Sequence, residues 1–157
     1  MKISKLAMAL SETDLNAMLT TAFDRMAQEP QAKEMASKVK DPRIALKAGT
    51  ISFKCKAAMG FLPVPVEAQL RLAPADGGNA LDITLERVSL AMMGGATVAS
   101  QLMSQVAGMV AGKPGLAVSG NTLTVTLKTL AQTRQIELGG KLNDITVSDG
   151  LISFDLS

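Results

Sequence analysis

Residues that could perform chemistry are few in this chain, and their arrangement favours none of the common mechanisms. The sequence contains no histidine and one cysteine, Cys55, so the side chain that most often serves as a general base near pH 7 is missing. Lys54 and Lys56 alternate with apolar residues around Cys55, which on a strand places both ammonium groups on the face opposite the thiol. We expect Cys55 to be buried and unreactive.

Carboxylates and serine offer no clearer catalytic group. Asp82 and Glu86 could act as an acid–base pair, but isolated acids on strands usually face solvent. Ser119 lacks the flanks of a nucleophile elbow, and the sequence has no glycine-rich phosphate loop. We therefore expect a protein that is not an enzyme and that carries no cofactor and no metal.

The composition indicates a single domain with an aliphatic core. The chain has 157 residues, of which 47% are hydrophobic but only 3% aromatic, and this length is typical of one domain. Ten Met and no Trp or Tyr predict an adaptable core of Met, Val, Ile, Leu and Ala. Nucleic-acid binding is not expected, because stacking platforms need surface aromatics. We interpret residues 1–157 as one domain.

Apolar and polar residues alternate along most of the chain, which predicts half-buried antiparallel strands. The alternation covers residues 51–57, 64–72, 81–85 and 122–128. Its phase shifts at Glu86 and Arg87, which predicts a β-bulge.

The last residues predict a hairpin with a defined register. A two-residue turn at 149–150 places Val147 opposite Ile152. The same register places Ile145 opposite Phe154, so that all four side chains share one face.

Two helices are expected among the strands. The first begins at Ser11, with Asp14 three residues later as in a capping box, and its apolar stripe has helical spacing. The second lies near residues 94–111, inside a stretch without ionisable side chains between Arg87 and Lys113. The first stripe consists of Leu15, Met18, Leu19, Phe23 and Met26.

The second helix has two apolar rows and one row of small residues. Two Gln, two Ser and one Thr interrupt it, which argues against a membrane span, and a surface helix would carry charge. We predict an α+β fold in which a strongly curved antiparallel sheet wraps around this one long helix, with a shorter N-terminal helix. The small-residue row is Ala96, Ser100, Ser104, Gly108 and Gly112.

The order of these elements resembles that of bacterial tubular lipid-binding (TULIP-like) proteins, in particular the small envelope lipoproteins and the LmeA-type phospholipid-binding families. The resemblance lies in the opening SETDLN of residues 11–16 with Leu19, the uncharged helix, and the closing SDGLISFDL. It implies an apolar groove between the helix and the sheet that accepts acyl chains, and lipid binding or transfer near a membrane. A homodimer would complete the tube that two-domain members form. The chain departs from the family because its start does not read as a signal peptide and it has no lipidation cysteine.

The groove so implied defines a set of ligand-binding residues, although such stripes also suit an ordinary core packed against the sheet. A basic cluster on strands could attract lipid headgroups or bring the chain into peripheral contact with a membrane, or it could simply be a solvated surface. The expected groove residues are Val98, Leu102, Met103, Val106, Met109, Val110, Val66 and Leu70. The expected headgroup residues are Lys47, Lys54 and Lys56.

Two functions remain open on this basis. One is non-enzymatic binding of lipid or another aliphatic small molecule, in a soluble chain that is located in the envelope if the resemblance holds. The other is a protein interaction module, which uses the small-residue row of the helix to pack on a partner or on a second copy.

Overall fold

The structure, a computed structural model, describes residues 1–30, 32–59, 61–90 and 95–157; the side chains at 35, 59, 90, 95–99, 101 and 102 lie outside the described part. The strands are β1 Lys2–Ile3, β2 Leu6–Ser11, β3 Val39–Lys47, β4 Thr50–Met59, β5 Leu62–Ala75, β6 Ala80–Leu90, β7 Leu116–Ser119, β8 Thr122–Thr126, β9 Glu137–Leu138, β10 Leu142–Ser148 and β11 Leu151–Leu156. The helices are α1 Glu12–Gln28, α2 Lys33–Lys38, α3 Gly95–Val110 and α4 Leu127–Thr133, with a 3₁₀ turn at Asp76–Gly78.

A large antiparallel sheet organises the fold. Its six strands lie in the order β3-β4-β5-β6-β8-β7, a second antiparallel sheet has the order β10-β11-β2, and β1 pairs with β9 in parallel. The predicted α+β class with an antiparallel sheet is therefore confirmed. Consecutive strands β3 to β6 are neighbours, as expected for strands joined by short turns.

Strand register divides the six-stranded sheet into two faces of different chemistry. Cys55 lies opposite Val66 and Phe53 lies opposite Ala68, and we call the face that carries them the inner face. Lys54 and its neighbours point the other way, because successive side chains alternate along a strand, and we call that side the outer face. The apolar alternation of the sequence is thus the pattern of a sheet covered on one side.

The predicted irregularities of register are confirmed. Gln69 pairs with Arg87 while Leu70 pairs with Leu85, which leaves Glu86 as the extra residue of a bulge in β6.

The closing hairpin has the expected register as well. Val147 lies opposite Ile152 and Ile145 opposite Phe154. All four pack in one apolar cluster. The period-2 pattern therefore predicted both which residues of β10 and β11 pair and which face of the hairpin is covered.

Two apolar clusters cover the inner face, and Leu70 packs against both of them. The first lies under α3 and consists of Val66, Ala68, Leu85, Val88 and Met103. The second lies under the three-stranded sheet and has Leu46, Ile51 and Ile152 at its centre. The inner face is therefore covered by α3 at one end and by β10, β11 and α1 at the other.

Helix α1 protects one of the two edges of the six-stranded sheet, the edge formed by β3. The Asn16 side-chain amide donates to the Ile44 carbonyl at 2.9 Å and accepts from the Ile44 N–H at 2.7 Å. One turn earlier, Glu12 Oε2 accepts from the Leu46 N–H at 3.0 Å. Polar groups on the outward edge of β3 thus find partners that a further strand would otherwise supply.

Three features differ from the expectations. Helix α1 has 17 residues and α3 has 16, so the N-terminal helix is not the shorter one, because good helix formers continue up to the stop before Pro30. Residues 127–133 form α4 instead of prolonging a strand, since Leu127, Leu130 and Ala131 have helical spacing. The short apolar run near the start forms β2, which pairs with β11.

Replacing Asn16 tests the edge contact. We expect Asn16→Ala to lower the free energy of unfolding by about 1–3 kcal/mol, because it leaves both polar groups of Ile44 without a partner. Thr21→Ala is the matched control, since the Thr21 hydroxyl bonds only to the Ala17 carbonyl of the same helix. Urea unfolding measures both variants; equal stabilities would contradict this role of Asn16.

Candidate ligand-binding site

Helix α3 lies against β6 and β7, and its Met103 side chain packs on the inner face of β5 and β6. Met103 is 9% exposed and packs with Val66, Ala68, Leu85 and Val88. The structure thus brings together two of the predicted groove residues, Met103 and Val66, in a packed cluster.

The other predicted groove residues occupy different environments. Val106, Met109 and Val110 are half-buried on the C-terminal half of α3. Leu70 is half-buried between the two clusters. The side chains of Val98 and Leu102 lie outside the described residues.

The inner face is less completely covered towards the turn that joins β4 to β5. Cys55, Ala57 and Val64 belong to this part of the face, and each remains half-buried. They lie beside the first cluster, against which Cys55 and Ala57 pack. An apolar strip therefore continues from the cluster under α3 towards this end of the sheet.

The apolar stripe of α1 is also incompletely covered. None of the residues of α1 is buried, and Met18 is 56% exposed. Amphipathic helices of globular domains normally bury this stripe against the core. Sequence reasoning identified the stripe but could not show that it stays accessible, because accessibility depends on what packs opposite.

A cavity lies near the edge strand β3, lined mostly by outer-face residues of the sheet, and we call it the outer cavity. It has a volume of about 930 Å³ and combines three cationic with two acidic residues. Its lining consists of Thr20, Asp41, Pro42, Arg43, Lys54, Cys55, Lys56, Pro65, Val66, Glu67 and Ser89. Among the described side chains of α3, none belongs to this lining.

Charges in this outer cavity partly neutralise each other. Lys56 Nζ lies 3.9 Å from Asp41 Oδ2, and Lys54 lies opposite Glu67 on β5. The basic cluster read from the sequence is therefore more balanced than expected, because only the strand register reveals that Glu67 is its neighbour. Both lysines are exposed, so these contacts contribute little to stability.

The three predicted headgroup residues do not form one group. Lys54 and Lys56 line the outer cavity, whereas Lys47 pairs with Thr50 at the turn between β3 and β4. Four residues of strand separate Thr50 from Lys54, which is about 13 Å. Arg43 lies opposite Lys54 and lines the same cavity as Lys54 and Lys56.

Two observations concern the metal-ligating and thiol side chains among the described residues. Within them, no three His, Cys, Asp or Glu side chains are grouped closely enough to hold a metal ion. Desolvation raises the pKa of the Cys55 thiol above its ordinary value of 9.0, which keeps it protonated near pH 7.

Comparison with known proteins places the chain in no group: no family model, no curated protein and no solved structure matches it. In the part of the chain that the structure describes, each helix is too short or too polar to cross a bilayer.

The environment of Cys55 predicts slow alkylation. We expect iodoacetamide to react with the folded chain at least about tenfold more slowly than with the unfolded chain at pH 8, because burial disfavours the thiolate and limits access. The rate should still be rising above pH 9, where the unfolded chain passes its midpoint. Since this is the only cysteine, mass spectrometry follows the reaction directly, and a folded-state midpoint at or below the unfolded one would refute the assignment.

Proposed function

We propose that the chain is a non-enzymatic binder of lipid or another aliphatic ligand. The ligand would lie in a groove between α3 and the inner face of the six-stranded sheet. The proposal includes membership of the tubular lipid-binding proteins that the order of elements resembles, with a sheet that curves around α3. On the same reading the protein functions close to a membrane, in the bacterial envelope.

Incompletely covered apolar surface is the observation that carries this proposal. The folded chain exposes 9857 Å², whereas a compact monomer of 16.4 kDa exposes about 7,500 Å². Apolar side chains that remain accessible include Met18 on the stripe of α1 and the strip of Cys55, Ala57 and Val64 on the inner face. A ligand that covered these side chains would gain about 25 cal/mol for each Å² of apolar surface removed from water.

The chemistry of the surrounding side chains supports an aliphatic ligand. Val106, Met109 and Val110 are flexible or small, and the sequence of the helix that carries them has no charged residue. Such surfaces adapt to acyl chains, whereas flat aromatic ligands favour aromatic partners. Phe53 is the aromatic residue that packs against the first cluster.

A charge placed in the proposed groove should abolish uptake. We expect Val106→Asp to weaken binding of a fluorescent polyene fatty acid at least about tenfold, because it buries a carboxylate beside the acyl chain. Ser104→Asp is the control, since Ser104 is exposed on the same helix. Fluorescence titration measures both variants, and circular dichroism checks that they fold.

Two results would count against ligand binding. One is that the wild-type chain takes up no fatty acid and that solvent extraction of the purified protein yields no amphiphile. The other is that Val106→Asp and Ser104→Asp bind as the wild type does.

The exposed side of α3 favours a second candidate, an interaction module that packs on another copy of the chain. Ser100, Ser104 and Gly108 are exposed in one row of this uncharged helix, and small residues allow close backbone approach. The excess exposed surface of about 2,300 Å² is comparable to what a stable interface buries.

Gly108→Lys separates the two candidates. Apart from its chain neighbours and the nearby backbone of α3, no described atom lies within 4 Å of a Cβ built at Gly108, so the monomer accommodates the side chain, and the helix should gain about 0.5–1 kcal/mol. If the row joins two copies, light scattering after gel filtration will show a dimer for the wild type and a monomer for the variant. If the chain binds ligand as a monomer, mass and fatty-acid uptake will be unchanged.

A further inference from the structure

Two large apolar side chains project from the turn between β4 and β5. Phe61 is completely exposed, at 101%, and Leu62 is 68% exposed. Pro63 is also exposed, and we call residues 61–63 the hairpin tip. The sequence has no ionisable side chain from residue 57 to 66. Isolated exposed apolar residues are common, but adjacent ones at a protruding end indicate contact with an apolar phase or a partner.

Cationic side chains lie behind the hairpin tip in two rows across β3 and β4. The rows are Lys40 opposite Lys56 and Arg43 opposite Lys54. All four are exposed on the outer side of the sheet. Asp41 and Glu67 are the acidic residues beside them, so this part of the surface carries a net positive charge.

The distance between the tip and the cations matches the structure of a bilayer surface. Three residues of strand separate Lys56 from Met59 at the end of β4, which is about 10 Å, and Phe61 lies in the turn that follows. Interfacial apolar side chains bury about 5–10 Å into the headgroup and acyl boundary. With the hairpin tip inserted to this depth, Lys56 and Lys40 would lie within about 8 Å of the headgroups, which is the Debye length at physiological ionic strength.

A lipid surface suits this tip better than a protein partner does. The tip offers few side chains, whereas a stable protein interface buries about 800 Å² on each partner. Membrane adsorption needs only a small apolar insertion together with basic residues that face anionic headgroups. The positive charge of the two cationic rows therefore favours an anionic lipid surface over a protein partner.

We propose that the hairpin tip is a membrane-docking element that inserts Phe61 and Leu62 into an anionic lipid surface while the two cationic rows face the headgroups. This docking goes beyond the aliphatic ligand proposed above and does not require it.

A tryptophan at position 61 tests the insertion directly, because the chain contains no Trp and no Tyr. We expect Phe61→Trp fluorescence to shift to the blue and to be quenched by brominated acyl chains in mixed phosphatidylcholine and phosphatidylglycerol vesicles. Leu151→Trp, at a different exposed turn, should show neither effect. Raising the salt to about 1 M, where the Debye length is about 3 Å, should reverse the shift.

Sedimentation with the same vesicles tests the two parts of the element separately. The double substitution Phe61→Ser and Leu62→Ser should weaken binding at least about tenfold, and Lys56→Gln about fivefold. Urea unfolding of each variant confirms that it folds. The proposal is wrong if the wild-type chain does not sediment with these vesicles at low salt, or if the double variant sediments as the wild type does.

The two proposals can fail independently. The double variant should keep its uptake of the fluorescent fatty acid, because its substitutions lie outside the groove. Val106→Asp should conversely keep its binding to vesicles. Uptake without docking would overturn only the membrane element, and docking without uptake would overturn only the ligand.

Discussion

The paired hydrogen bonds between the Asn16 amide and the backbone of Ile44 constrain the rest of this structure. They hold α1 along the edge of the six-stranded sheet, and the edge strand in turn positions the three-stranded sheet over the inner face. On the same edge, the Gly150 N–H donates to the Leu46 carbonyl at 3.0 Å and Asp149 accepts from the Ala48 N–H. Because these contacts satisfy a row of backbone groups, the sheet ends in a helix and a turn instead of an open edge.

This edge also explains why α1 remains partly uncovered. Glu12 and Asn16, on the polar side of α1, are hydrogen-bonded to β3. The helix therefore cannot rotate to place its whole apolar stripe on the sheet. Only Leu15 of the stripe packs against the second cluster. The hydrogen bonds that protect the edge therefore leave apolar surface accessible above the inner face.

The sequence pattern predicted the features that depend on the local spacing of apolar residues. It failed for the features that depend on contacts between distant segments. The bulge at Glu86 and the register of the closing hairpin follow from alternation, because a slip of one residue reverses every side chain. By contrast, Leu127 continues an alternating run yet begins α4, and its N–H bonds to the distant Asn79 carbonyl. Likewise, no local signal assigns Glu67 to the neighbourhood of Lys54, which only strand order determines. Of the expected groove residues, Met103 and Val66 belong to one packed cluster, because both lie on apolar stripes of elements that face each other.

The inner face of the sheet is apolar and the outer face is charged. The apolar strip of the inner face and the cationic rows of the outer face both lead towards the end of the β4–β5 hairpin. If an acyl chain bound along the inner face as proposed, it would lie on the side opposite Lys54, so this lysine could not hold its headgroup through the sheet. Beyond Ala57 the sheet narrows to two strands without charge, and the half-buried strip leads from the first cluster to the exposed Phe61. If this end contacts a lipid surface, an acyl chain could pass from the bilayer to the inner face without exposing its full length to water, which would avoid most of the cost of hydrating it. The position of Phe61 would then link the two proposals physically, although each stands on separate residues.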